Sequence, residues 1–189
     1  MAGIAASDAD VVALLMRQHG DIRNLFDEVE RTAGDERRTA FRNLVRLLAV
    51  HETAEEEVVR PFTRTSVPDG AQVADERLAE EREAKELLSR LDGMDTDDPK
   101  FLPELMTLRL DVMKHARAEE RYEFNHIRRH ADKARLSSMA TALKAAEAVA
   151  PTHPHPGTES AAKNMALGPI AAVVDRTRDA VRKAMGKDG

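Results

Sequence analysis

Neither cysteine nor tryptophan occurs in this chain, and tyrosine occurs once. Without thiols there are no disulfides, thiolate zinc sites or iron–sulfur clusters, and the composition fits a reducing, cytoplasmic setting. Aromatic residues make up only 3% of the sequence, and Lys plus Arg (29) are outnumbered by Asp plus Glu (34). No basic patch with interleaved aromatics is present, which argues against a nucleic-acid partner. No apolar run approaches the ~20 residues of a membrane span. The opening residues MAGIAASDAD have neither the basic start nor the apolar stretch of a secretion signal. The expectation is a cytoplasmic protein, monomer or homodimer, acting on neither nucleic acid nor membrane.

Helical periodicity fills the space these absences leave, since alternating β-branched runs are nearly missing as well. Ser7 can cap a first helix, with Asp8 and Asp10 favouring its positive end. That helix runs to about residue 33 with a seam of Val12, Leu15, His19, Ile22, Phe26 and Val29. Gly34 breaks it and Asp35 can cap the second helix, whose last turn Pro61 weakens before the turn SVPDG at 66–70. A third helix over 71–91 turns Ala74, Leu78, Glu81, Ala84, Leu88 and Leu91 inward, and the loop GMDTDDP at 93–99 leads to a fourth. The fold class is therefore all-α, an up-down-up-down four-helix bundle over 1–130. A C-terminal helical extension follows over 131–189. It comprises an Ala-rich stretch with Leu136, Met139, Leu143 and Ala146 as a thin stripe, a non-helical Pro/His linker at 151–157, and a last amphipathic helix over 160–185. Arg176, Arg178 and Arg182 face away from the apolar side of that helix. It either docks on the bundle, pairs two chains or forms a lid.

Two seams carry polar residues where leucines belong. The second helix reads Phe41, Leu44, Leu48, His51, Glu55, Val58, Phe62, and the fourth reads Leu105, Leu108, Val112, His115, Glu119, Tyr122, His126. Both step 3, 4, 3, 4, 3, 4, the spacing of a packed helix face. An ionised carboxylate buried without a partner costs several kcal/mol or more. No Lys or Arg falls on these stripes, and a metal ion would meet the need. The pattern is also repeated: His19 precedes His51 by 32 residues and Glu81 precedes His115 by 34. Four antiparallel helices would thus bring His19, His51, Glu55, Glu81, His115 and Glu119 to one layer. Six mixed N/O side chains are too many for one zinc ion, and suit two adjacent iron or manganese ions. Glu55 and Glu119 stand to bridge the pair, the other four to bind at its ends, and an oxo or hydroxo bridge would come from solvent. Taken singly, His19 also reads as a core histidine and Glu81 as a solvated edge residue. Tyr122 is either a core aromatic or a phenol facing the metal pair. Glu52 points about 100° away from His51, and Glu56, Glu120 and Glu123 read as surface charge.

With His19, these two motifs, HETAEEEVVRPF and HARAEERYEF, resemble the hemerythrin-like HHE cation-binding domain family over about residues 8–128. The resemblance implies a four-helix bundle around a non-haem di-iron centre, and a small ligand such as H2O2, O2 or NO. Ferritin-like proteins use Glu-x-x-His instead, which the seams lack. One departure stands out: in EEREAKELL, Glu81 occupies a place where the family usually has His. A harder, more anionic site would favour ferric iron over reversible O2 carriage. The expected function is peroxide decomposition (catalase- or peroxidase-like), with Tyr122 as a catalytic hydrogen donor. The alternative is an O2/NO-binding or iron-responsive sensor without turnover.

Overall fold

The structure, a computed structural model, describes residues 10–149 and 168–186, and among these every regular element is helical. The expected Ser7 cap and the linker at 151–157, with His153 and His155, lie outside the described residues. Helix α1 (Val11–Arg31) starts at Asp10, whose carboxylate accepts the Val12 amide at 2.9 Å and so caps the first turn. Gly34, with φ +57°, makes the reversal into α2 (Gly34–Ala54), a conformation glycine adopts without steric cost. The second rod continues through a π-helical segment π1 (Glu55–Val59) into α3 (Arg60–Ser66). A tight turn leads to α4 (Gly70–Asp92). The fourth rod is built like the second: α5 (Phe101–Ala118), π2 (Glu119–Glu123) and α6 (Phe124–His130). Sequential rods pack side by side, and α5 closes back onto α1, giving the helical bundle.

Pro61 does not stop the second rod. It sits in the first turn of α3, directly after the π segment. The wider π turn relieves the clash between the proline ring and the preceding carbonyl. The second π segment has no proline, so proline is not the cause of both. Each bulge inserts one residue into the 3.6-residue register and rotates everything after it.

The Ala-rich stretch forms a separate helix, α7 (Lys133–Val149), and a last helix, α8 (Gly168–Ala184), lies against α7 and α2. Met139, Leu143, Ala146 and Val181 join one apolar cluster with Val11, Leu15, Val58, Phe62, Phe124 and Ile127. Arg178 Nε donates to Glu57 at 2.8 Å, fastening α8 to π1. A second apolar cluster fills the other end of the bundle with Ile22, Phe26, Phe41, Leu44, Leu88, Phe101 and Leu108. The two clusters leave a polar layer between them. No helix among the described residues is long and apolar enough to cross a membrane.

Candidate metal centre

Six buried or nearly buried side chains fill that layer. Helix α1 supplies His19, α2 His51, α4 Glu81 and α5 His115, while Glu55 and Glu119 are the first residues of the two π segments. They form two overlapping groups of four. One ligand-type atom from each of His19, His51, Glu55 and Glu119 lies within 4.8 Å of the others, and the same holds for Glu55, Glu81, His115 and Glu119. Glu55 and Glu119 belong to both.

All three imidazoles are held in the same way. His51 Nδ1 donates to Gln18 Oε1 at 2.8 Å, and His19 Nδ1 and His115 Nδ1 donate to the carboxylates of Glu120 and Glu80, each at 2.9 Å. An Nδ1–H so engaged leaves the Nε2 lone pair for the interior, the arrangement that metal-binding histidines need. The interior atoms are correspondingly short of partners. His19 Nε2, His115 Nε2, Glu55 Oε1, Glu81 Oε2 and Glu119 Oε2 are buried without a hydrogen bond. His19 Nε2 lies 3.3 Å from Glu119 Oε2, and His115 Nε2 lies 3.1 Å from Glu119 Oε1, neither with hydrogen-bond geometry. Five orphaned ligand-type atoms in one buried layer cost too much to be incidental. Their N/O chemistry fits a pair of cations that share two carboxylates.

The reading that a metal ion alone would meet the carboxylates, with no Lys or Arg on their stripes, is corrected by Arg60, which is 2% exposed. Its Nη2 donates to Glu81 Oε1 at 2.7 Å, to Glu55 Oε2 at 3.1 Å and, more closely, to Glu119 Oε1. Its Nε adds a 3.1 Å bond to Glu81 Oε1, and Nη1 reaches Glu123 Oε2 at 2.7 Å. Arg60 follows Glu55 by five residues, one turn of π-helix, so the bulge aims it into the layer. The argument that Glu81 makes the site more anionic changes accordingly, because Arg60 balances that charge.

The bulge in π2 likewise corrects the fourth seam. Tyr122 is 66% exposed, and Glu123 is buried at 2%. The inserted residue moves Glu123 inward, where Thr63 Oγ1 and Arg60 both donate to it, and rotates Tyr122 to solvent. Glu123 is therefore not surface charge, and Tyr122 is no part of the layer. Neither residue announces itself in a register of 3.6. Only the shared spacing Glu55–Arg60 and Glu119–Phe124 hints at the bulges.

The electrostatics follow from crowding in a low dielectric. Burial first, then repulsion from Glu119, pushes the Glu55 carboxyl well above the carboxylate range. Burial acts on Glu119 in the same direction, but Arg60 and His115 outweigh it and hold Glu119 well below that range. Burial lowers His115, yet the negative charge of Glu119 beside it and the hydrogen bond to Glu80 bring it up to about 11. His51 is pushed well down by burial and by His19. Glu52 is raised to about 8, chiefly by burial, with Lys85 opposing. It lines a cavity of about 50 Å³ among α1, α2, α4 and α5, together with His19, His51, Glu81 and His115. That volume admits a molecule of two or three heavy atoms.

The family model for the hemerythrin HHE cation binding domain matches residues 10–127. Over 172 residues the chain is 25% identical to an uncharacterized hemerythrin-like protein of Schizosaccharomyces pombe, covering 89% of this chain and 85% of that one. No solved structure matches. The matched segment spans the four rods and all six converging residues, and the chain belongs to the hemerythrin HHE cation-binding domain family.

Proposed function

We propose that the chain holds two iron ions, with manganese as the competing metal, and that this centre reacts with hydrogen peroxide. The observation that carries the reading is the pair of four-residue groups sharing Glu55 and Glu119. His19 and His51 would serve one ion, Glu81 and His115 the other, and the two shared carboxylates both. Two irons cycling between ferrous and ferric states would supply the two electrons that reduce one peroxide to water and take back the two released when a second peroxide is oxidised to O2. The chain's own part is to orient the three imidazoles through their Nδ1 bonds, to keep bulk water from the layer, and to admit only a small molecule through the cavity beside His115 and Glu52. Carboxylate oxygens are hard donors, which favours the ferric state over reversible O2 carriage.

Elemental analysis of protein purified without chelators, with a visible spectrum of the same sample, should give about two irons per chain and an oxo-bridged ferric band. Added peroxide should then be consumed with O2 release, and His115→Ala should abolish it. One zinc per chain, or no metal after anaerobic iron loading, refutes the dinuclear reading.

A sensor reading is favoured by one observation: His51 is linked through Gln18 to Glu147 on α7, outside the residues that match the family. It predicts a spectrum that responds to O2 or NO, negligible turnover, and hydrogen exchange in α7 that changes with the ligand.

A further inference from the structure

The two halves of the bundle repeat each other, and they differ at two positions that touch. His19 in the first half corresponds to Glu81 in the second, each preceding its His-x-x-x-Glu motif by a helical hairpin. Arg60 corresponds to Phe124: each lies five residues after the motif glutamate, and the backbone N–H of each closes a π turn onto that glutamate's carbonyl. Across the layer, Phe124 stacks on His19 with ring centroids 5.6 Å apart and planes 17° apart. In the matching place, Arg60 donates twice to Glu81 Oε1, at 2.7 and 3.1 Å. An imidazole packed on a phenyl ring is thus exchanged for a carboxylate packed on a guanidinium. Exchanging Arg60 alone would leave Glu81 buried without its guanidinium, exchanging Glu81 alone would take from Arg60 the carboxylate it bonds twice, and exchanging both removes the pair as a unit.

The pair is not the whole effect, because Arg60 reaches beyond Glu81. It also bonds Glu55 and Glu119, so every carboxylate of the group Glu55, Glu81, His115 and Glu119 is tied to it. In the His19 and His51 group only the two shared carboxylates are, and both histidine Nε2 atoms are free of it. A cation entering the Glu81 half stands beside the positive charge of Arg60 and competes with it for Glu81 Oε1 and for Glu119 Oε1, the oxygen that faces His115. His19 instead faces Glu119 Oε2, which Arg60 does not touch. Arg60 has somewhere to go, since its Nη1 is already bonded to Glu123 Oε2 at 2.7 Å and Thr63 backs that carboxylate.

We propose that Arg60 is a built-in, displaceable counter-cation that makes the two metal positions unequal. The His19/His51 half fills first, and the Glu81/His115 half fills second and more weakly, as Arg60 gives up Glu55 and Glu119 while keeping Glu123. Arg60 is a positioning residue in this role and touches no substrate. The proposal rests on the dinuclear reading above.

The test is a calorimetric titration of the metal-depleted full chain with Mn2+ under argon, beside thermal melts of the same samples. Wild type should take up two ions in steps separated by about tenfold or more. Arg60→Phe alone should lower the melting temperature of the metal-depleted chain by roughly 10 °C, since it strips buried carboxylates of their cation. Glu81→His alone should lower it by less, because Arg60 keeps Glu55, Glu119 and Glu123. The double variant Glu81→His/Arg60→Phe, which copies the first half into the second, should lose clearly less than the sum of the two single losses and bring the two steps together. Two equal steps in wild type, or a gap that the double variant leaves unchanged, would overturn the proposed loading order. Single variants as stable as wild type would overturn the pairing. Wild type that binds no Mn2+ and no iron would sink the dinuclear reading and the loading order with it, and the melting cycle would then judge the Arg60–Glu81 pair by itself.

Discussion

The amide oxygen of Gln18 accepts a hydrogen bond from His51 Nδ1 at 2.8 Å. The same amide donates from Nε2 to Glu147 Oε1 at 2.6 Å, so a carboxylate of α7 fixes which way the amide of α1 faces. A helix beyond the family match thereby helps set the tautomer and orientation of one inward-facing imidazole. Gln18→Leu removes that acceptor without removing volume. Cation affinity, read by titration of the metal-depleted chain, should fall roughly 10- to 100-fold, the usual cost of losing such an outer partner. Unchanged affinity would mean that His51 is oriented by something else.

Tyr122 sits one residue before Glu123 and on the other side of the wall. Its exposure means that Tyr122→Phe should leave metal content, spectrum and peroxide loss as they are, with a stability change within about 0.5 kcal/mol. A several-fold drop in peroxide turnover in this variant would put the phenol back at the reacting centre.

Gly70 opens α4 against the end of α3. A Cβ built there would lie 1.9 Å from the carbonyl oxygen of Thr63, a backbone atom that cannot swing aside. Gly70→Ala should therefore cost about 2–3 kcal/mol or more, read as a lower denaturant midpoint. Because Thr63 also holds Glu123, the variant should bind metal less tightly. Wild-type stability would show that the turn between α3 and α4 relaxes freely.

Asp92 ends α4, where the helix dipole is negative and burial disfavours a charge. Burial raises its carboxyl above the ordinary value of 3.8. A folded-state value above the unfolded one means that the group is most favourable below about pH 4 and loses that advantage as pH rises through the raised value. Asp92→Asn should thus stabilise the protein at pH 7 by about 0.5 kcal/mol, with the gain vanishing near pH 3. Melts of both proteins across that range check it, and a gain of equal size at both pH values would refute the charge argument.

Much of the polar layer was legible beforehand because a helix face repeats at a fixed interval. His51 and Glu55, or His115 and Glu119, must stack on one side of any α-helix, whatever surrounds it. Glu81 belonged to an apolar stripe with Ala74, Ala84, Leu88 and Leu91, and the structure buries it there. One turn later periodicity found the buried Val58 and Phe62 of the second rod but missed Arg60, and in the fourth rod it chose the wrong face. There the seam was read through Tyr122, while the chain turns Glu123 inward and sends Arg60 into the layer.

The sequence alone determined the helical class and the doubled His-x-x-x-Glu stripe, since both follow from local spacing. Tertiary structure decided which charges meet. Arg60 faces Glu55, Glu81, Glu119 and Glu123 because a single inserted residue rotates the second rod and because three other rods stand around it. The attachment of α7 through Glu147 and Gln18 is of the same kind, a contact between residues 129 positions apart. Such pairings depend on how rods pack around a shared interior, and no spacing along one rod encodes them.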